Sequence, residues 1–368
     1  MKLLLDPYIF NVQKFGGISR LYSEMLRILK TRKEVSIECP LYYSDNFHIL
    51  HYKLSRNRYL NFFDNKLVTR LKQRFLHANI SSIINTLNKN EIDVFIPTYY
   101  DTYFLTHLGD TPFVLTVYDM IHELFPQFFR SEAELIDKKR ILIERSKKII
   151  AISQNTKNDI LKIYPHIPEE KIEIVYLSHS IDIHNVTALP SYLKEKKYLL
   201  FVGNRDFYKN FKLFIRIAGD WLLKNNVSLV CLGGNSFSDE ESQSIDQCGL
   251  KELVYQYSFQ DNELASFYIN ALAFVFPSEY EGFGIPVLEA MACSCPVILP
   301  KMSSFPEVAG DAGIYFDLNQ PDSLLNSLNS VIYDVDFRRN KIHMGLEQVK
   351  KFSWEKTVTE SLKVYSSV

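Results

Sequence analysis

The stretch that decides the fold is Phe274–Pro296, FVFPSEYEGFGIPVLEAMACSCP. It begins with a short apolar run, typical of a buried parallel strand, and continues through a glycine-containing loop into a helical pattern. Pro286 suits the first position of that helix, because its missing N–H costs nothing there. The amides of Gly284, Ile285 and Val287 would then converge at the helix N-terminus, where an anion is favoured. The stretch therefore predicts a phosphate-binding corner of an α/β domain.

Two carboxylates, Glu281 and Glu289, flank this corner. They would repel a phosphate on its own, so we expect them to accept hydrogen bonds from sugar hydroxyls. The compensating positive charge is predicted from Phe201–Asn210, where a strand and a glycine turn precede Arg205 and Lys209. These two cations would grip a diphosphate and stabilise it as a leaving group.

Short apolar runs alternate with helical patterns along the rest of the chain. Lys2–Leu5 and Tyr198–Val202 are the first strands predicted in each half, and the alternation predicts parallel sheets with both faces covered. The rhythm pauses in the polar stretch 178–197, which we interpret as a linker between domains 1–180 and 197–352. Such folds bind ligands beyond the carboxyl ends of their strands, so we expect a ligand in a cleft between two domains.

The composition excludes several classes of protein. The chain has 368 residues, 46% hydrophobic and 23% charged, with a net charge of −1, which suits a globular two-domain protein. No apolar run reaches the ~20 residues of a membrane span, and the apolar start is too short for a signal peptide. Five scattered cysteines predict neither a disulfide framework nor a metal site. The balanced charge argues against nucleic acid as a partner, and the missing G-x-G-x-x-G argues against a dehydrogenase. We expect a cytoplasmic protein.

One segment, Lys53–Arg74, is strongly basic. It holds seven bases and one acid, Asp64, and aromatic residues lie in and beside it. Such a composition suits an anionic membrane surface or a phosphate-bearing partner, and in the first case the protein would be peripheral on the inner face of the plasma membrane. The segment is equally consistent with a solvated helix whose aromatic side chains face the core.

The Glu281–Ala292 sequence, EGFGIPVLEAMA, resembles the signature of the retaining glycosyltransferases of family 4, which have the GT-B fold. Four further segments are similar to motifs of that family: Phe15–Ile18, Gly203–Asn210, Ser303–Gly313 and Phe352–Tyr365. The resemblance implies an α/β protein of two Rossmann-like, doubly wound domains facing each other across a cleft. It also implies an acceptor-binding N-terminal domain and a C-terminal helix, 353–368, that crosses back to it.

The resemblance assigns roles to the candidate residues. Glu289 would bind the ribose of a nucleotide sugar, Glu281 the hydroxyls of the transferred sugar, and Arg205 and Lys209 the diphosphate. Glu281, Lys209 and Arg205 are the predicted catalytic residues. Backbone contacts to the donor are expected from Gly16, Gly17, Gly203, Gly282, Phe283, Gly284, Ile285 and Val287. The implied reaction retains the anomeric configuration and needs neither a metal nor a cofactor besides the UDP- or GDP-sugar donor.

The chain departs from the family pattern at three positions. Tyr118 stands where many relatives have a histidine, so Asp119 or His122 is expected to contact the substrate instead. Arg205 comes one position later than the arginine of many relatives. Ser294 occupies a turn position where glycine is common.

The expected function is transfer of a hexose, with mannose as one choice, from a nucleoside diphosphate sugar to a glycan or lipid-linked acceptor. Such an enzyme would serve the synthesis of a bacterial surface polysaccharide, such as O-antigen, capsule or lipopolysaccharide. The alternatives are a nucleotide-sugar-binding protein without catalytic activity and an epimerase on the same fold.

Overall fold

The computed structural model describes residues 1–55, 66–184, 186–205 and 207–368. The chain divides into two compact units. The first unit is Met1–Leu177 together with Trp354–Val368, and the second is Ser178–Ser353. Each unit is built from parallel strands connected by helices, which confirms the predicted α/β class.

The first unit holds six parallel strands in two sheets, with orders β2-β1-β3 and β4-β5-β6. A single parallel bridge between Phe95 and Phe113 connects the sheets. The strands are Lys2–Leu5 (β1), Ser36–Glu38 (β2), Val94–Ile96 (β3), Val114–Val117 (β4), Lys148–Ala151 (β5) and Ile172–Ile174 (β6). β3 and β4 are buried throughout, as expected for strands covered on both faces.

Eight described helices belong to the first unit. They are Tyr8–Val12 (α1), Gly17–Leu29 (α2), Phe47–His51 (α3), Lys66–Leu87 (α4), Ile121–Leu124 (α5), Ala133–Arg145 (α6), Gln154–Ile163 (α7) and, from the end of the chain, Trp354–Tyr365 (α15). Ser153 caps α7, because its side chain accepts a hydrogen bond from the Thr156 amide. α15 packs on α2 and β5, and its residues Trp354, Val358 and Tyr365 are buried there.

The second unit has one sheet of six parallel strands in the order β12-β11-β10-β7-β8-β9. The strands are Tyr198–Val202 (β7), Ser228–Leu232 (β8), Val254–Tyr257 (β9), Ala273–Val275 (β10), Val297–Pro300 (β11) and Ile314–Phe316 (β12). Its helices are Phe211–Asn225 (α8), Asp239–Gln247 (α9), Leu264–Asn270 (α10), Ile285–Ala292 (α11), Phe305–Ala309 (α12), Pro321–Tyr333 (α13) and Val335–Val349 (α14). Every residue of β7 and β8 is buried, so the loops at their carboxyl ends start from a rigid base.

The basic segment Lys53–Arg74 is only partly described. Residues 56–65 lie outside the described residues, and α4 begins at Lys66. The structure therefore tests neither interpretation of the segment. No helix in the described part of the chain is both long and apolar enough to cross a membrane.

Candidate active site

Lys209 and Glu281 come together because their strands are neighbours. Lys209 lies in the loop after β7, and Glu281 lies in the loop after β10, which pairs in parallel with β7. The carboxyl ends of parallel neighbours meet at one edge of the sheet. The Lys209 ammonium group donates a hydrogen bond to the Glu281 carboxylate, and the two side chains form an ion pair.

This ion pair is largely shielded from water. The side chains of Lys209 and Glu281 are 12% and 15% exposed. The ammonium group also lies 5.0 Å from the centre of the Tyr208 ring and 4.9 Å from that of Phe276, a cation–π arrangement on two sides. The surroundings therefore hold a positive charge at a fixed place, as a diphosphate site requires.

Backbone contacts join the two loops. The Glu279 amide donates to the Tyr208 carbonyl at 2.7 Å, and the Asn210 side-chain amide donates to the Pro277 carbonyl at 3.2 Å. Asn210 has a left-handed φ of 55°, which turns the chain into α8. The position of Lys209 relative to Glu281 is thus set by the backbone and does not depend on the ion pair alone.

Two serines to which the sequence gives no individual role hold the Glu281 loop. The Ser303 hydroxyl accepts from the Glu281 amide at 3.0 Å and donates to the Glu281 carbonyl at 2.8 Å. The Ser304 hydroxyl, fully buried, lies 3.0 Å from the Glu281 carbonyl and 2.8 Å from that of Phe283. The Ser303–Gly313 family motif is the only sequence signal for these contacts.

The N-terminus of α11 requires a correction. The sequence predicts a free amide at Val287, but this amide donates to the Gly284 carbonyl at 2.9 Å because the first turn of α11 is tight. Among the described residues, none accepts from the amides of Gly284 or Ile285, so these two remain available to an anion. Gly284 has a φ of 99°, which favours glycine. α11 also starts one residue earlier than predicted for Pro286, which is its second residue.

Glu289 lies on α11 and is 4% exposed. Burial, followed by the charge of Glu289, raises the pKa of the Cys293 thiol to about 12. Gly282 and Phe283 are part of the same loop, and the Phe283 ring contacts Phe352 edge-on at 5.9 Å. The loop that carries Glu281 leads directly into α11, the helix that carries Glu289.

Arg205 has different surroundings from those expected. Its guanidinium group donates to the Glu241 carboxylate at 2.8 Å, to the Gly233 carbonyl at 3.3 Å and to the Asn235 carbonyl at 2.6 Å. It also lies 4.8 Å from the centre of the Phe237 ring, and its side chain is only 4% exposed. The structure thus gives Arg205 a role in joining the β7 and β8 loops, while the diphosphate contact stays a prediction.

Glycines form a recess at the carboxyl ends of β7 and β8. Gly203 has a φ of 111°, and a side-chain carbon added there would meet nothing within 4 Å, so the space above it is open. At Gly233, with a φ of 77°, such a carbon would lie 3.6 Å from the Phe259 ring. A ligand can therefore approach the backbone here, with Phe259 as a wall that sequence reasoning did not single out.

In the first unit, α2 begins at Gly17, and Gly16 is the N-cap residue before it. The Gly16 backbone is extended, and a side-chain carbon there would lie 2.4 Å from the Gln13 side chain, whose oxygen accepts from the Ser19 amide. Within the described chain, no group accepts from the amides of Gly17 or Ile18. The loop thus offers two donors at a helix N-terminus, as expected for contact with a phosphate.

The residues that follow β4 are divided between core and surface. The Tyr118 hydroxyl donates to the Thr98 carbonyl at 2.7 Å and contacts the Tyr22 hydroxyl at 2.8 Å, so it points into the unit. Asp119 is about a third exposed, and its carboxylate accepts from the Ile121 amide. His122 contacts the Glu132 carboxylate through Nε2 at 2.8 Å, while its buried Nδ1 has no hydrogen-bond partner among the described residues.

A buried lysine fixes this segment from behind. The Lys139 side chain is fully buried, and its ammonium group donates to the Glu123 carboxylate at 2.9 Å and to the Asp119 carbonyl at 3.0 Å. The same group lies 5.0 Å from the centre of the Tyr100 ring. A buried charge is tolerated only with such partners, so Lys139 ties Asp119 to α6.

Solved structures define the class of fold. The chain is similar over its whole length to the Anabaena protein HepE in complex with UDP and glucose, with a TM-score of 0.72, 17% identity and 99% of that chain covered. It is also similar to WaaG, a glycosyltransferase involved in lipopolysaccharide biosynthesis, with a TM-score of 0.66, 14% identity and full coverage of both chains. The fold is that of the GT-B glycosyltransferases, with two Rossmann-like domains.

Family models identify the chain more closely. The model described as "Glycosyl transferases group 1" matches residues 191–345, and that described as "Glycosyltransferase Family 4" matches residues 15–178. The chain belongs to glycosyltransferase family 4 and is a transferase enzyme, as its Glu281–Ala292 motif indicates.

Curated relatives include O-antigen enzymes. The chain is 29% identical over 234 residues to O-antigen chain mannosyltransferase B of Escherichia coli, covering 61% of each chain. It is 28% identical to O-antigen chain mannosyltransferase RfbU of Salmonella typhimurium, covering 59% of this chain and 60% of the relative. The match thus spans about three fifths of these two relatives. A Campylobacter jejuni enzyme, N-acetylgalactosamine-N,N'-diacetylbacillosaminyl-diphospho-undecaprenol 4-alpha-N-acetylgalactosaminyltransferase, is 26% identical over 98% of both chains.

Proposed function

We propose that this enzyme transfers a hexose, with retention of configuration, from a nucleoside diphosphate sugar to a glycan or lipid-linked acceptor in surface polysaccharide synthesis. The observation that carries the proposal is the shielded Lys209–Glu281 ion pair beside the two unengaged amides of Gly284 and Ile285. A cation, a carboxylate and a helix N-terminus at one corner suit a ligand that is both a diphosphate and a sugar.

The donor would replace the ion pair by two better-matched contacts. Lys209 would turn its ammonium group to the diphosphate, and Glu281 would accept hydrogen bonds from the sugar hydroxyls. Glu289 would accept from the ribose hydroxyls. The amides of Gly284 and Ile285 at the start of α11 would bind phosphate oxygens, and a phosphate contact of the Gly16–Gly17 loop stays a prediction. A partly buried ion pair is costly to break without replacement, so binding requires that both new contacts form together.

In the proposed reaction, the bond between the anomeric carbon and the phosphate oxygen breaks, and the acceptor oxygen bonds to the same face of that carbon. The acceptor's proton passes to an oxygen of the leaving diphosphate. Lys209 and the amides stabilise the negative charge that develops on that group. Neither a metal nor a carboxylate nucleophile takes part in this scheme, in contrast to the retaining glycosidases.

The names of similar proteins narrow the choice of donor and acceptor substrates. Two O-antigen relatives are mannosyltransferases, one relative acts on a diphospho-undecaprenol-linked sugar, and HepE was crystallised with UDP-glucose. Mannose and a polyprenyl-linked or glycan acceptor are therefore our first choices, with UDP and GDP as the candidate donor nucleotides.

We also propose that the enzyme acts on the inner face of the plasma membrane as a peripheral protein, through the basic segment Lys53–Arg74.

The test is a thermal-unfolding series with UDP-, GDP- and ADP-sugars. A ligand that binds only the folded enzyme raises the midpoint, and one hundred times its Kd contributes about 2.7 kcal/mol. The true donor should raise the midpoint of the wild-type enzyme and have little effect on the Lys209→Ala variant. Lys212→Ala is the matched control, because Lys212 pairs with Glu240 on the surface. A donor that stabilises both variants equally would contradict the assigned site.

A further inference from the structure

Two open cavities adjoin at the carboxyl ends of the second unit's strands. The first, of about 690 Å³, is lined by the ends of β11 and β12 and the loops after β10, β11 and β12. The second, of about 510 Å³, is lined by the loops after β7 and β8 and by the start of α9. Asn210 and Leu213 line both, so the cavities lie side by side across the start of α8. We call the two cavities together the α8 groove; each has the volume of a ligand site.

The α8 groove is distinct from the corner formed by Lys209, Glu281 and the start of α11. Right-handed connections place α8 and α9, which lead from β7 towards β9, on one face of the sheet. α11 and α12 lead in the opposite direction, from β10 towards β12, and therefore lie on the other face. The groove and the corner are still adjacent, because Asn210 directly follows Lys209 and their Cα atoms lie about 3.8 Å apart. The groove thus leads away from the corner along the face that carries α8.

Several polar side chains of the groove have hydrogen-bonding capacity to spare. Within the described chain, the Glu279 carboxylate and the Lys301 ammonium group have no partner. The side-chain amides of Asn204 and Asn235 are likewise unengaged by described residues. Asn210 donates its side-chain nitrogen to a backbone carbonyl, but no described residue donates to its side-chain oxygen. Carboxylate and amide groups of this kind can bind hydroxyl groups.

The wall of the groove after β12 is already in shape. The Asp317 carboxylate accepts from the Asn319 amide at 2.9 Å and from the Gln320 side chain at 2.9 Å. The Ser323 hydroxyl accepts from the Asp317 amide at 2.7 Å. A ligand therefore does not have to order this loop, which lowers the entropy cost of binding.

Apolar side chains complete the groove. Phe207, in the second cavity, is 65% exposed, and Met302, in the first, is 37% exposed. Leu213 is half-buried where the two cavities meet. A sugar ring has carbon–hydrogen faces that gain free energy by packing on such side chains, while its hydroxyl groups bind polar neighbours.

The charge of the groove argues against an anionic ligand. In the first cavity, two acids, Glu279 and Asp317, accompany one cation, Lys301. In the second cavity, every charged side chain of the described lining belongs to an ion pair. A phosphate, an acidic lipid or a nucleic acid would therefore meet no excess of positive charge. Hydroxyl-binding groups beside apolar side chains, without that excess, suit an uncharged oligosaccharide.

We propose that the α8 groove binds uncharged sugars of the acceptor glycan that lie further along the chain than the sugar that reacts. This inference rests on the proposed function and names its acceptor as an oligosaccharide. A glycan held in the groove keeps its end close to Lys209 and Glu281, which raises the effective concentration of the reacting hydroxyl. The groove therefore lowers the KM for a long acceptor and leaves kcat unchanged.

Binding titrations by saturation-transfer NMR on the full chain, without donor, test the proposal. The probes are α-linked mannotetraose and maltotetraose, with mannose and glucose for comparison. A tetrasaccharide should bind wild type about tenfold or more tightly than its monosaccharide, because only a chain can occupy both cavities. Phe207→Ala should weaken this binding about tenfold, since it removes most of the apolar area of one cavity. Tyr333→Ala is the matched control, because Tyr333 is 67% exposed in the same unit and lines neither cavity.

Three outcomes would overturn the proposal. They are a wild-type enzyme that binds neither tetrasaccharide, a Phe207→Ala variant that binds as wild type does, and displacement of the tetrasaccharide by UDP or GDP, which would place it in the donor site. Thermal unfolding of each variant checks that it is folded. Donor-induced stabilisation on the same samples reports the proposed function separately. Its absence, with tetrasaccharide binding intact, would count against the donor site and not against the groove.

Discussion

The Ser303 hydroxyl forms hydrogen bonds with both backbone groups of Glu281: it accepts from the amide at 3.0 Å and donates to the carbonyl at 2.8 Å. Ser303 itself has a left-handed φ of 53°, which a non-glycine residue adopts only at a cost. The neighbouring Ser304 holds the same carbonyl and that of Phe283. The position of the Glu281 carboxylate therefore depends on side chains more than twenty residues away in the sequence.

The Ser304→Ala variant should lower both stability and turnover. It removes the Ser304 donor from the buried Phe283 carbonyl, whereas the Glu281 carbonyl keeps the Ser303 hydroxyl, and the loss costs about 1–3 kcal/mol of unfolding free energy. Because the loop also positions Glu281, kcat should fall further than KM rises. Urea unfolding and steady-state kinetics measure the two effects, with Ser330→Ala as the control, since Ser330 lies on an exposed helix face. An unchanged kcat would show that the loop does not need this support.

Lys209→Ala should reduce kcat by about 100-fold or more, the usual effect of removing one group that stabilises a developing anion. The Glu281 carboxylate would lose its partner, but the Ser303 hydroxyl still holds the Glu281 amide and carbonyl, so the fold should persist. Initial rates with the donor found by thermal shift check the prediction, with Lys212→Ala alongside. Turnover at the wild-type rate would exclude the diphosphate role of Lys209.

Arg205→Met should act mainly on stability. It removes the cation of a buried ion pair and leaves the Glu241 carboxylate with a hydrogen bond from the Ser238 amide but no opposite charge, which lowers the unfolding free energy by about 3 kcal/mol. Arg216→Met, on the exposed face of α8, is the control. If Arg205→Met instead left stability unchanged and lowered turnover as strongly as Lys209→Ala, the guanidinium group would serve the diphosphate, as the sequence predicts.

The pH dependence of the unfolding free energy should reveal the titration of the buried Asp6 carboxyl group. Burial raises the pKa of Asp6 from 3.8 to about 7, and a hydrogen bond from the Tyr103 hydroxyl opposes this rise. The folded state thus holds a proton that the unfolded state has released, so unfolding free energy should fall as pH rises from about 4 to about 7. Tyr103→Phe should raise the pKa of Asp6 and extend the fall to higher pH. Urea unfolding across this range compares the two proteins, and superimposable profiles would contradict the assignment.

The sequence predicts the parts of the fold that depend on local signals. The strands Lys2–Leu5 and Tyr198–Val202 have the predicted bounds, because apolar runs act over a few residues. The edge strand Ser36–Glu38 was missed, since it is short and half-exposed and lacks a buried run.

The sequence motif predicts which residues form the candidate site, but it does not predict the contacts that these residues make. The pairing of β7 with β10 brings Lys209 next to Glu281. This proximity is what the sequence analysis implies, since it places a cation for phosphate and a carboxylate for sugar in one site. The sequence does not reveal that Arg205 prefers Glu241, because that contact depends on how the β8 loop and α9 fold back. Ser294 has the left-handed φ of 57° that its glycine-like turn position implies.

The last helix has a consequence for how the molecule is made. α15 supplies buried residues to the first unit, packing on α2 and β5, although the whole second unit separates it from them in the sequence. During synthesis on the ribosome, the apolar surface of α2 and β5 therefore stays exposed until residues 354–365 have emerged. The second unit has already been synthesised by then. This delay should raise the need for chaperones during synthesis, and it should make substitutions near Tyr365 poorly tolerated.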